Sequence, residues 1–173
     1  MTERQLIEAC KLNDRNAQRL LYERYKNAMF TLAYRVTGNF ETAAEVLQDA
    51  FLQVFRHLDD FQQRSTVGAW IKTIVVRTAI SSTRRKKIDF DPIEAVKEPS
   101  TLDWGTNFDI EYLEKAIQSL PEGYRTVFIL AEVEGFSHLE IADMLQISEG
   151  TSKSQLFHAK KRLRAYLSAV EGM

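Results

Sequence analysis

The sequence predicts an all-α protein: two small helical domains joined by a flexible linker, the second containing a helix-turn-helix. Three observations predict it. Apolar residues recur at helical spacing between good cap residues, and strand-like alternation is nearly absent. Between Ile88 and Asn107 the pattern breaks into Pro92, Pro99, Gly105 and scattered acids. Near the end, a short and a longer helical segment are separated only by Gln146-Ile147-Ser148.

Taken in order, Thr2 and Gln5 form a capping box that opens a first helix carrying Leu6, Ile7 and Cys10. Asn13 or Asp14 caps a second, running to about Arg35 with Ala17, Leu20, Leu21, Met29, Leu32 and Ala33 on its apolar face, and Gly38 stops it. A third follows Asn39, with Val46, Leu47, Ala50, Phe51, Val54, Phe55 and Leu58 on one stripe. A polar loop from Asp59 to Arg64 leads into a fourth helix, from about Ser65 to Arg85. That helix is apolar nearly all round and should pack on more than one side. These elements make a domain over residues 1–87, and 88–107 is the linker.

The second domain, 108–173, begins with a segment in which Ile110, Leu113, Ile117 and Leu120 are the apolar positions. Pro121 suits the first turn of the next helix, Glu122 to Val133, which Gly135 can end. Ser137 with Glu140 makes a second capping box and opens a short helix to Leu145. Ser148 caps the last helix, to about Leu167. Leu139, Ile141, Ala142 and Ile147 are expected where the two crossing helices pack.

The 173 residues carry 23 Lys and Arg against 24 Asp and Glu, a net charge of −1 that on its own argues against a nucleic-acid binder. Resolved along the chain, the charge is far from even. Arg64 to Lys87 holds seven basic residues and no acid, and Ser148 to Leu167 holds five basic and one acidic. Ile88 to Lys115 holds eight acids and two basic residues. Two separated basic blocks suggest two polyanion contacts. One cysteine, Cys10, excludes an internal disulfide framework and fits a cytoplasmic protein with a small buried thiol. The polar start has no apolar run after it, so no signal peptide and no membrane insertion are expected. His57, His138 and His158 are scattered, and none pairs with Cys10 or another His at ligand spacing, so neither a metal centre nor a cofactor is expected. No phosphate-cradling glycine loop and no nucleophile constellation has local support, and the notable serines serve as caps. The chain does not read as an enzyme.

The last helix opens with small polar residues, Gly150, Thr151, Ser152 and Ser154, with Lys153 the long cation among them. Such an end can approach a major groove, and a helix N-terminus favours phosphate. Lys160, Lys161, Arg162 and Arg164 follow on later turns, as phosphate contacts require.

Two ordered motif sets resemble a known family. Leu120-Pro121, Arg125, Val127-Phe128, Glu134-Gly135-Phe136-Ser137, Glu140-Ile141-Ala142 and Ile147 through Ser154 resemble the promoter-reading C-terminal domain of bacterial sigma factors. Tyr25, Leu32 to Arg35, Gly38, Asp49 to Phe55, Phe61, Ala69-Trp70-Ile71, Ile74 and Arg84 to Lys87 resemble their other conserved domain. The two-domain plan is similar to the extracytoplasmic-function (ECF) branch of the sigma-70 family.

That resemblance implies a non-enzymatic protein that binds core RNA polymerase, through its β′ clamp and β flap, brings it to promoter DNA and helps open it. It also implies an anti-sigma protein as a partner. The third helix would meet the clamp through Glu45, Gln48, Asp49, Leu52 and Arg56. Leu52 supports this independently, because it falls among polar residues off the apolar stripe. The loop from Gln62 to Gly68 and the helix after it would capture the melted minus-10 strand, with Phe61, Arg64, Ser65, Trp70, Lys72, Arg77, Arg84, Arg85 and Lys86 as candidate contacts. Trp70 reads either as a base-stacking residue or as a core anchor. Thr151, Lys153, Ser154, Phe157, His158, Lys160, Lys161 and Arg164 would face the minus-35 element. Phe157 meets a thymine methyl or sugar edge, or packs inward. His158 stands where arginine is common in the family, Ser152 where valine is frequent, Arg77 where asparagine is usual and Ser81 where aspartate is usual. Two other readings compete: a regulator of the response-regulator kind, which needs an α/β receiver the sequence lacks, and an adaptor whose basic blocks touch no DNA.

Overall fold

The computed structural model describes residues 1–89 and 110–171, and they divide into two compact units, Met1–Lys86 and Lys87–Met173. Every regular element among them is helical. The expected linker positions from Phe90 to Asn107 lie outside the described residues.

Unit 1 is built from α1 (Glu3–Lys11), α2 (Arg15–Thr37), α3 (Phe40–Arg56) and α4 (Val67–Asp89). The caps form as the sequence predicts. Thr2 and Gln5 bond reciprocally, the Asp14 carboxylate accepts from the Asn16 and Ala17 amides, and the Asn39 side chain accepts from Thr42. Gly38 closes α2 at φ 70°, a conformation in which a side chain is strained. α2 extends to Thr37, and α4 runs to Asp89, two residues into the expected linker. Leu58 forms a 3-10 turn with Asp59 and Asp60 and does not continue α3.

The core of unit 1 joins Leu6, Ile7 and Cys10 of α1 to Leu21 and Leu32 of α2, Val46, Ala50 and Val54 of α3, and Ile71, Val75 and Val76 of α4. Leu20 is exposed, one position off the face that buries Leu21. α4 is buried on more than one side, as its all-round apolarity requires. Its start crosses α2 closely: a Cβ on Gly68 would sit 3.0 Å from Tyr25 Cε1. Burial pushes the Tyr25 phenol up from its ordinary pKa, with Glu3 adding to the effect.

Unit 2 contains α5 (Ile110–Gln118), α6 (Glu122–Phe128), a π-helical stretch (Ile129–Val133), α7 (His138–Leu145) and α8 (Glu149–Glu171). Three expectations shift. Leu113 is exposed, and α5 buries Tyr112 and Ala116 beside the expected Ile117. The helix after Pro121 loosens into π pairing, with the Glu134 amide donating to the Ile129 carbonyl, before Gly135 turns the chain at φ 77°. Ile129, Leu130, Ile141, Ala159 and Leu163 form the core, with Met144 beside them. Leu139, expected at the α7–α8 crossing, is 66% exposed, and Met144 takes the inward position. Among the described residues no helix is long and apolar enough to cross a membrane.

Candidate nucleic-acid interface

The helix-turn-helix is α7, the turn at Gln146 to Ser148, and α8. Ser137 caps α7 through the Glu140 amide, and the Glu140 carboxylate returns to the Ser137 amide. Gln146 ends it in the left-handed region at φ 56°. Ser148 begins α8 by accepting from the Thr151 amide at 3.0 Å and donating to the Thr151 hydroxyl at 2.8 Å. Thr151 is therefore part of the cap.

α8 buries Ser152, Ala159 and Leu163 and exposes Lys153, Ser154, Phe157, His158, Lys161 and Arg164. Those spacings put the exposed six along one side of the helix. Phe157 is 64% exposed, which excludes inward packing. Lys153 pairs along the helix with Glu149 at 3.5 Å. Lys160 differs from the other cations, because its ammonium lies 2.7 Å from Glu132 in the π stretch. That pair fastens α8 to the π stretch that continues α6.

Two further contacts hold α8. His138 Nδ1 lies 2.8 Å from Ser152 Oγ, joining α7 to α8 across a site where Ser152 is fully buried. A buried hydroxyl in place of the family's frequent valine is thereby satisfied. Tyr124 of α6 stacks on His158, with centroids 5.8 Å apart and planes at 28°. Tyr124, Glu132 and His138 were not among the sequence candidates. All three act through partners at least 14 residues away, which helical spacing does not encode.

In unit 1 the loop before α4 exposes Gln62, Gln63, Arg64, Ser65 and Thr66. Gln63 turns it at φ 57°. The loop is anchored where it enters α4. The Thr66 hydroxyl accepts from the Ala69 amide, and the Glu3 carboxylate of α1 accepts from the Val67 amide at 3.4 Å. Phe61, expected among the strand contacts, is buried, and its ring meets Trp70 at 5.2 Å. Phe61 thus supports the loop from beneath, and Trp70 is half-buried against it. Arg77, Arg84 and Arg85 are exposed on α4, and Lys72 is half-buried. The Lys86 side chain lies outside the described residues.

Glu45, Gln48, Asp49, Leu52 and Arg56 are all exposed on α3, and Leu52 is 57% exposed. Leu52 stands on the lip between two clefts. On one side an apolar groove of about 420 Å³ between α2 and α3 is lined by Tyr22, Phe30, Leu47, Phe51 and Phe55. On the other a cleft of about 310 Å³ between α3 and α4 is lined by Asp49, Arg56, Arg77, Ser81 and Arg85. The α3 residues expected to face a protein and the α4 arginines expected to face DNA therefore meet in one cleft. Among the described residues no three His, Cys, Asp or Glu side chains gather as a metal site would need.

Both units resemble known protein families. The family model described as Sigma-70 region 2 matches residues 21–88, and that described as Sigma-70, region 4 matches residues 110–163. The RNA polymerase sigma-H factor of Pseudomonas aeruginosa is 30% identical over 177 residues, covering 93% of this chain and 91% of that protein. The ECF RNA polymerase sigma factor SigW of Bacillus subtilis is 27% identical over 176 residues, covering 93% and 94%. Among solved structures, the sigma factor RpoE of Bartonella quintana, in complex with the anti-sigma factor NepR, shares the fold at TM-score 0.61 and 24% identity, covering 87% of this chain and 96% of that one. The matched regions, the helix-turn-helix and the full-length relatives together place this chain in the sigma-70 family of RNA polymerase sigma factors, as a member of its ECF branch.

Proposed function

We propose that the two units divide the work of a promoter-directing sigma factor. Unit 1 binds core RNA polymerase through Glu45, Gln48, Asp49, Leu52 and Arg56 and captures the melted minus-10 strand with Arg64, Ser65 and the α4 cations. Unit 2 reads the minus-35 element with Lys153, Ser154, Phe157 and His158, while Lys161 and Arg164 hold phosphates. The observation that carries this reading is the exposed side of α8, which presents Lys153, Ser154, Phe157 and His158 together with Lys161 and Arg164 on a helix fixed by three contacts from other elements. The protein contributes no catalytic group of its own and works in the cytoplasm, where polymerase is. An anti-sigma protein is a further partner, by analogy with the Bartonella quintana protein of similar fold.

Transcription in vitro with core polymerase on a genomic fragment library tests the reading. Initiation should depend on the protein and yield one promoter motif. Lys153→Ala with His158→Ala should abolish selectivity at the upstream element and leave polymerase binding intact. An equal loss of polymerase binding would refute the division of labour.

A further inference from the structure

We infer that Tyr124, which lies on α6 outside the helix-turn-helix, is a positioning residue for base selectivity: it fixes the orientation of the His158 imidazole. The inference rests on α8 being the minus-35 reader.

His158 is short, exposed and on the outer side of α8. A neutral imidazole offers one donor and one acceptor, so its discrimination depends on which edge faces the base. An unrestrained exposed ring would sample several rotamers and spread that contact over more than one base. Here the ring is restrained on two sides. The Tyr124 ring lies nearly parallel to it at 5.8 Å, and the Phe157 ring meets it edge-on at 5.5 Å and 77°. Tyr124 is itself held, because the Arg162 guanidinium carbon lies 5.3 Å from its ring centroid. Arg162 is one helical turn beyond His158, so both residues rest on the same phenol. An arginine at 158 would reach a base with a forked, self-oriented donor set. Histidine cannot, and the ring from α6 supplies the orientation that the shorter side chain lacks. The ring, not the hydroxyl, makes the stack.

Polymerase reconstituted with each variant is tested on the promoter recovered from the fragment library and on its single-base-pair variants across the upstream element. Wild type should discriminate at the pair that His158 faces, and His158→Ala should flatten that discrimination. Tyr124→Leu should flatten the same pair by about three- to tenfold, the range of an aromatic pair. Tyr124→Phe should retain it. The Tyr124→Leu, His158→Ala double variant should be no flatter than His158→Ala alone. Nuclear magnetic resonance of the full chain gives a readout independent of DNA: the His158 ring protons should be shifted upfield in wild type and Tyr124→Phe, and return toward free-histidine positions in Tyr124→Leu while α8 amide shifts stay in place. If His158→Ala leaves every base preference unchanged, the assignment of α8 fails and this proposal with it. If His158→Ala flattens the preference and Tyr124→Leu does not, the assignment stands and the positioning role is overturned. Loss of selectivity in Tyr124→Phe, additive effects in the double variant, or unshifted wild-type ring protons would also overturn it.

Discussion

Replacing His138 by alanine tests what holds the two helices of the helix-turn-helix together. Ser152 has no solvent exposure, and its hydroxyl lies 2.8 Å from His138 Nδ1. Leaving a buried hydroxyl without its partner costs about 1–3 kcal/mol. Ser152 follows Ser148 by one helical turn, and its hydroxyl can turn back toward that carbonyl, which recovers part of the loss. The expected cost is therefore about 1–2 kcal/mol, or about a five- to thirtyfold fall in the folded-to-unfolded ratio of unit 2. Ser152→Ala should cost less, about 0.5–1 kcal/mol, because His138 is half-buried and can reach water. A double-mutant cycle should return about 1 kcal/mol of coupling between them. Native-state hydrogen exchange of the full chain, read at α8 amides, keeps unit 1 out of the measurement. His138→Ala combined with Ser152→Val removes both polar groups and fills the site, and should approach wild-type stability. A coupling below about 0.3 kcal/mol would refute the reasoning. So would a double replacement as damaging as His138→Ala alone.

Other outcomes follow from the same geometry. Leu52→Asp should leave unfolding within about 0.5 kcal/mol of wild type, since the side chain is exposed, yet weaken core polymerase binding in a pull-down. Retained binding would remove α3 from that surface. Lys161→Ala should lower the salt dependence of holoenzyme binding to promoter DNA by about one unit of log–log slope. Lys160→Ala should lower it less, because Lys160 is already paired with Glu132; equal slopes would break that distinction. Burial, with Asp14 adding to it, pushes the Cys10 thiol above its ordinary pKa. The folded state then favours the protonated thiol, so the stabilisation is full below the ordinary thiol pKa and is lost as pH rises through the raised one. Thiol-reactive dye should label Cys10 slowly in native protein and rapidly in urea, and fast native labelling would show that the α1 packing is open.

Local chemistry made much of the fold legible. Each predicted cap pairs its side chain with a backbone group two or three residues away, so Thr2, Asp14, Asn39, Ser137 and Ser148 could be read directly. Leu52 could be read from its place on the wheel. Where the sequence misled, the deciding partner was distant. Periodicity favours Leu113 and Leu139 for burial by their apolarity, but both face outward, while Tyr112 and Met144 are buried on the same helices. Phe61 resembles a loop residue in position and is a core residue by its contact with Trp70. The stack of Tyr124 on His158 spans 34 positions, and no local rule links them.

The π stretch has a consequence for how this domain tolerates change in length. Five residues, Ile129 to Val133, occupy a turn that α-helical pairing would fill with one fewer. Deleting one of them would allow regular pairing and make the helix locally simpler. Because the surplus residue is absorbed within one turn, the residues after it would keep roughly the same places around the axis. A deletion in the regular turns of α6 would instead turn every later residue about 100°, taking Glu132 out of reach of Lys160. The heading of α8 thus depends on the count of residues in α6, and the π stretch is a place where that count can fall by one without redirecting the chain.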